Sequence, residues 1–312
     1  TAITPKHITS AAKSGKLGQV LIAIVGEGKG GRAYVSPSAE HEAVAFSAGP
    51  SWKPEQRQPK NPRWFSPPAY GMETFGDLFT DRQLVALNTF SDLVHEVRTQ
   101  IEADAQRAGL SSDPTALRDG GKGTKAYAEA VSVYLAFGIS KAADYHSSIT
   151  TWHNGREIIR NTFGRQALPM TWDFTEANPF SSSTGNWLNC IEWGVKTLAA
   201  LVTAAGGTEH QHDAQTVDYP PETVISTDPP YYDNIGYADL SDFFFCCLKP
   251  VIRSVYPEIF GSIATPKSEE LVATPYRHGG KDAAEAFFLE GMSKAIANMA
   301  RQSSERFPAT IY

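Results

Sequence analysis

Cysteine is scarce and poorly placed for linkage: the three in this 312-residue chain, Cys190, Cys246 and Cys247, include an adjacent pair and no C-x-x-C spacing. A disulfide-stapled fold is excluded and a zinc ribbon gains no support, so a reducing, cytoplasmic setting is expected. Long hydrophobic runs are also missing. Stretches such as 198–205 fall far short of the roughly 18 residues needed to span a bilayer, and no charged-then-apolar leader opens the chain, so no membrane role is expected. No charge of one sign dominates: 28 Lys+Arg against 34 Asp+Glu leave a net charge of -6, the wrong sign for a small, wholly basic nucleic-acid binder. Contact with nucleic acid must then use local patches. His210 and His212 share an i, i+2 spacing without a third ligand nearby, and no metal is predicted.

What is present is the composition of a folded, soluble protein, 41% hydrophobic, 20% charged and 11% aromatic. At roughly 150 residues per domain the length predicts two domains, or one with an insertion. The chain opens on Thr1 and closes on the β-rich run Phe307 to Tyr312, which reads as a piece of a longer protein. Leu17 to Val25 and Arg32 to Val35, joined across Gly26 to Gly31, predict a β-hairpin; no helix follows at once, so the glycines do not form a phosphate loop. Six prolines between Pro50 and Pro68 predict an extended strap. Its Lys53, Arg57, Lys60 and Arg63 alternate with Trp52, Trp64 and Phe65, a pattern that serves either DNA contact or packing of the aromatics on the strap's own domain.

Thr80-Asp81-Arg82-Gln83 has the form of a capping box, and Leu84, Leu87, Val94, Val97 and Ile101 recur at helical spacing behind it, predicting a helix to about Ala108. Tyr127, Val131, Tyr134 and Leu135 mark a second helix. Trp187, Ile191, Val195, Leu198 and Val202 mark a third, capped near Ser183 and stopped by Gly206-Gly207. All three apolar stripes are expected to be core.

The chemistry-bearing stretch is Asp228-Pro229-Pro230-Tyr231, at the end of a predicted buried strand over Val224 to Thr227 and ahead of a polar turn and the apolar segment Leu240 to Leu248. A given four-residue string arises by chance in about one chain in several hundred at this length, before the strand is required. An exocyclic amine on adenine or cytosine is a poor nucleophile because its lone pair is delocalised into the ring. Two fixed acceptors, the Asp228 carboxylate and the Pro229 carbonyl, can take its two N–H groups and favour the pyramidal form. Pro229 and Pro230 fix φ at the strand end, and Tyr231 offers a flat face on which a base swung out of its helix can stack. Upstream, Asp213 with Ala214 sits where a nucleotide-binding sheet places an acidic residue after the preceding strand, to accept from a cofactor's adenine amine; a plain turn is the competing reading. Asn178, in the polar-aromatic loop Trp172 to Phe180, either lines the base pocket or belongs to a capped turn. Arg277 to Lys281 either meets phosphate or is a solvated loop.

The stretch Thr227 to Phe244 closely resembles the large adenine-specific DNA methylases, multi-domain bacterial and archaeal proteins. Further similar segments are Gly30 to Tyr34, Gly76 to Thr80, Arg165 to Phe174, Glu176 to Phe180 and Glu270 to Pro275. The resemblance implies an α/β fold: a partial Rossmann-like class I methyltransferase sheet with a helical insertion and an N-terminal β-hairpin. The three parts would be a hairpin and strap over 1–70, the insertion over 71–180 and the catalytic half over 181–312. It implies S-adenosylmethionine as cofactor, DNA as partner, Asp228 to Tyr231 as the catalytic motif, Asp213 and Ala214 at the cofactor, and Tyr231, Tyr232, Asn234, Tyr237 and Asn178 at the substrate.

One departure concerns the F-x-G-x-G loop of such enzymes. Phe75-Gly76-Asp77 and Phe163-Gly164-Arg165 both lack the second glycine, so the loop is expected from an upstream part of the same protein. The expected activity is methylation of adenine N6 in DNA. Cytosine N4 uses the same four letters, and a catalytically incomplete nucleic-acid-binding fragment is a further alternative. Cysteine-dependent C5 methylation is disfavoured because no cysteine follows a proline, and glutamine methylation because Asp228 stands where Asn is usual.

Overall fold

The computed structural model describes residues 3–201 and 206–312. Along the chain run α1 (Pro5–Lys13), β1 (Ile24–Gly28), β2 (Gly31–Val35), α2 (Ala39–Ala45), α3 (Asp81–Arg107), α4 (Thr124–Ala143), β3 (Thr151–His153), β4 (Ile158–Arg160), α5 (Trp187–Ala200), β5 (Ser226–Thr227), α6 (Tyr237–Ile252), α7 (Pro257–Phe260), α8 (Pro275–His278), α9 (Lys281–Gln302) and β6 (Thr310–Ile311). The architecture is α/β, with far more helix than strand. Its sheets among the described residues are three two-stranded pairs, antiparallel β1-β2 and β3-β4 and parallel β5-β6, rather than the expected Rossmann-like sheet. The chain divides into two compact units, 1–201 with 241–264, and 202–240 with 265–312, a division that cuts across the three segments read along the sequence.

In the first unit the hairpin is shorter than its sequence predicts. Leu17 to Ala23 stay outside the ladder, and Gly28 pairs with Gly31 across a two-residue turn at Lys29-Gly30; Gly31, just after the turn, takes a φ of 146° that glycine tolerates. The strap packs inward: Trp64 and Phe65 are buried, Lys53 pairs with Asp77 at 3.5 Å and Arg57 with Glu73 at 2.9 Å. Much of its positive charge is answered within the fold, which favours the packing reading over phosphate contact.

Helix α3 starts as its capping box dictates. Thr80 accepts from the Gln83 amide, Gln83 accepts from the Thr80 amide, and Leu84, Leu87, Phe90 and Val94 form the buried stripe. Helix α4 overturns its expected core stripe. Tyr127 and Tyr134 face solvent, while Ala126, Ala128, Ser132, Ala136, Gly138 and Ile139 are buried. The reason is close approach: a Cβ on Gly138 would lie 2.2 Å from Ile191 of α5, so small residues form the interface and large rings are left outside. Helix α5 is capped by Asn186 rather than near Ser183 and buries Cys190, while Trp193, Val195 and Leu198 stay exposed; Val202 lies outside the described residues.

A buried polar turn follows α4. Asp144 accepts from the Asn161 side chain at 2.9 Å and the Phe163 amide at 3.1 Å, Ser147 pairs with Thr162, and Ser148 donates to the Leu78 carbonyl. His146, 3% exposed, donates from Nε2 to the Gly185 carbonyl at 2.8 Å. Burial pushes its pKa down, although the bond to Gly185 and the Glu176 charge work the other way. The unfolded chain therefore binds a proton below the ordinary histidine range that folded His146 resists, so this contribution is complete above about pH 6.5 and is lost as pH falls. We expect the urea midpoint to drop between pH 7.5 and pH 5.5 by more in the wild type than in His146→Gln, with a slope difference of at most about 1.4 kcal/mol per pH unit. Equal drops would show that His146 does not titrate in this range.

Candidate active site

In the second unit β5 is shorter than predicted, because only Ser226 and Thr227 find strand partners, Thr310 and Ile311 of β6, and it is not the buried strand expected: Ile225 is buried, but Val224 and Ser226 are exposed because a two-stranded pair leaves a face uncovered. The pairing is parallel. It is locked by Thr310 N–H to the Ile225 carbonyl and Tyr312 N–H to the Thr227 carbonyl, both 3.0 Å. Asp228 thus begins where β5 ends, at the carboxyl end of a parallel strand, where open α/β sheets place their ligand sites.

Asp228 is exposed and accepts the Tyr231 hydroxyl at 2.6 Å. That bond, together with the carboxylate charge, raises the phenol's pKa. Among the described residues the Pro229 carbonyl accepts no hydrogen bond, and Pro229 is half-buried. Tyr231 and Tyr237 are each 55% exposed, large flat rings at the start and end of a polar loop. Tyr232 turns the other way: its ring packs edge-on against Phe288 at 5.3 Å and its φ is 55°, a left-handed conformation uncommon outside glycine. Its carbonyl accepts from the Ala273 amide at 3.0 Å. Asn234 leaves its side chain exposed and donates its amide to the Tyr231 carbonyl.

The other sequence-derived positions have local partners of their own. Asp213 heads a turn, its carboxylate accepting from the Gln215 amide at 2.9 Å and its carbonyl from Thr216 and Val217; the element before it among the described residues is helix α5 rather than a strand, and the Ala214 carbonyl accepts from Asn298. The turn reading accounts for these contacts, while the exposed carboxylate keeps room for a further donor. Asn178 belongs to the first unit, where its side chain caps the Phe180 amide at 2.9 Å and it lines a cleft of about 660 Å³ with Trp152, Phe174 and the Arg82–Glu176 pair. Among the described residues no cluster of three or more His, Cys, Asp or Glu could hold a metal, and no helix is long and apolar enough to cross a membrane. The three cysteines are free and buried.

One group escaped the sequence reading. Arg277 is not a solvated or phosphate-seeking residue: its guanidinium meets Glu270 at 2.6 Å and Asp239 at 2.8 Å, and Asp239 is 1% exposed. Burial opposes its charge, yet the two carboxylates hold the pKa well above the usual value. An acidic residue three places into an otherwise apolar helix start is the only signal in the sequence, and it reads equally well as a dipole partner. Comparison with family models, curated proteins and solved structures finds no match to this chain. The fold and the site define an α/β protein with an exposed carboxylate and two aromatic faces at the carboxyl end of a parallel strand.

Proposed function

We propose that this protein methylates an exocyclic amine of DNA, adenine N6 in the first place, using S-adenosylmethionine. The observation that carries the reading is the exposed Asp228 carboxylate at the carboxyl end of parallel strand β5, with the unbonded Pro229 carbonyl next to it and the ring of Tyr231 beside it. The target amine displaces the Tyr231 hydroxyl from Asp228 and donates one N–H to the carboxylate and the other to the Pro229 carbonyl. Two acceptors out of the ring plane localise the lone pair on nitrogen, and Tyr231, released, stacks on the base. S-adenosylmethionine, when bound, would supply an electrophilic methyl group and leave as the thioether S-adenosylhomocysteine, and the Asp228 carboxylate would take the proton that the methylated amine sheds. The acceptor side fits such chemistry; on the donor side the exposed Asp213 carboxylate suits an adenine amine, and Ala214 adjoins it. No covalent bond to the protein is required, in keeping with cysteines that are buried.

The test is methyl transfer from labelled S-adenosylmethionine to unmethylated bacterial genomic DNA, followed by nucleoside analysis. Label in N6-methyladenine is expected. Label in N4-methylcytosine would move the target base while keeping the mechanism; no label and no calorimetric binding of S-adenosylmethionine, with the chain extended upstream to include a glycine-rich loop, would overturn the reading and leave a nucleic-acid-binding role to be tested.

A further inference from the structure

The loop that carries Tyr231, Asn234 and Tyr237 has little apolar surface with which to hold itself. These three side chains are exposed, and Tyr232 sits in a left-handed conformation that costs on the order of 1 kcal/mol or more without support. Residues 265–277 supply the support at both ends. At the first, the Ala273 amide donates to the Tyr232 carbonyl at 3.0 Å. At the second, Glu270 accepts the Ala238 amide at 2.8 Å, satisfying an N–H that the first turn of α6 leaves without a helical partner, and the Thr265 hydroxyl donates to the Ala238 carbonyl at 2.7 Å. Asp239 then accepts the Tyr276 hydroxyl and forms an ion pair with Arg277. Arg277 joins these contacts, because one nitrogen of its fork lies on Asp239 and another on Glu270, with the Lys267 carbonyl at 3.4 Å.

We propose that Arg277 is a positioning residue: by bridging Asp239 and Glu270 it fixes the 232–239 loop and so sets where Tyr231 and Tyr237 stand beside Asp228. A purely apolar contact of the same size would stabilise the fold at least as well, since buried ion pairs add little net stability. What the guanidinium adds is one directed bond, Nη1 to Glu270, with the Asp239 carboxylate held 2.8 Å from Nη2 by charge; together these favour one register of the loop against 265–277. Removing the fork leaves two carboxylates at low exposure without their cation, and the loop opens to hydrate them. The structural half of this proposal is independent of the methyl-transfer reading; the catalytic consequence rests on it.

The experiment measures hydrogen exchange over 232–239 and methyl transfer in Arg277→Met, Arg277→Lys and Glu270→Gln. In Arg277→Met, exchange in this loop should rise about tenfold or more while core helices keep their protection, and kcat should fall about 10- to 100-fold with KM for S-adenosylmethionine within about twofold. Arg277→Lys should recover part of both, having the charge without the fork. Glu270→Gln keeps an acceptor for the Ala238 amide and should fall between, which also covers the case in which Arg277→Met does not fold. Unchanged loop exchange in a folded Arg277→Met or Glu270→Gln protein would overturn the brace. A brace seen by exchange in a protein whose wild type transfers no methyl group would instead sink the enzymatic reading alone.

Discussion

Asp228→Ala should abolish methyl transfer, by about a thousandfold or more at saturating cofactor, while leaving thermal unfolding within about 0.5 kcal/mol of wild type. The size follows from the chemistry. A thousandfold is about 4 kcal/mol of barrier, the scale expected when the charged one of two fixed acceptors is lost and the amine lone pair returns to the ring. The small stability effect follows from position, since Asp228 is exposed and its one side-chain partner is Tyr231, itself 55% exposed. Two companions sharpen the result. Asp228→Asn keeps an oxygen acceptor without the charge and should retain a small fraction of the rate. Tyr231→Phe removes the hydroxyl that competes with the amine for Asp228 but keeps the ring, so it should cost far less than Tyr231→Ala. Full activity in Asp228→Ala, with contaminating enzyme excluded, would remove this carboxylate from the reaction.

Phe243→Ala should be the most damaging single truncation for stability, about 3–5 kcal/mol in urea unfolding. Phe243 is fully buried in α6, stacked on Phe79 with ring centroids 5.4 Å apart and met edge-on by Phe163 at 5.3 Å. Deleting the ring removes its own transfer free energy, strands two aromatic neighbours and leaves a cavity that a helix interior relaxes into poorly. Leu188→Ala, on the exposed face of α5 at 76% exposure, is the matched control and should stay within about 0.5 kcal/mol. A loss below about 1 kcal/mol for Phe243→Ala would show that this aromatic cluster is loosely packed.

The sequence determined whatever local chemistry suffices to specify. Thr80 and Gln83 close a capping box from four adjacent residues, so α3 begins where its letters say, and Leu84, Leu87 and Val94 bury as their spacing requires, while Val97, expected in the same stripe, is exposed. Glycine at both ends of the tight turn made the β1-β2 hairpin readable, and the Val224 to Thr227 run followed by Asp-Pro-Pro-Tyr made the candidate site readable before any coordinates. Periodicity failed where packing partners decide. The rings of α4 are apolar and correctly spaced, yet α5 approaches so closely that only the alanine, serine and glycine face fits between them. Strand length failed for a similar reason, because a residue joins a sheet only if a partner lies alongside, and β6 is two residues long. The tertiary structure alone decided that the basic strap is answered by Asp77 and Glu73, that Asp213 heads a turn, and that Arg277 lies between Asp239 and Glu270. Charge pairing between separated positions of the chain leaves no periodic trace in a single sequence; for Arg277 and Asp239, 38 positions apart, it arises when folding takes charges out of water and each must find its opposite.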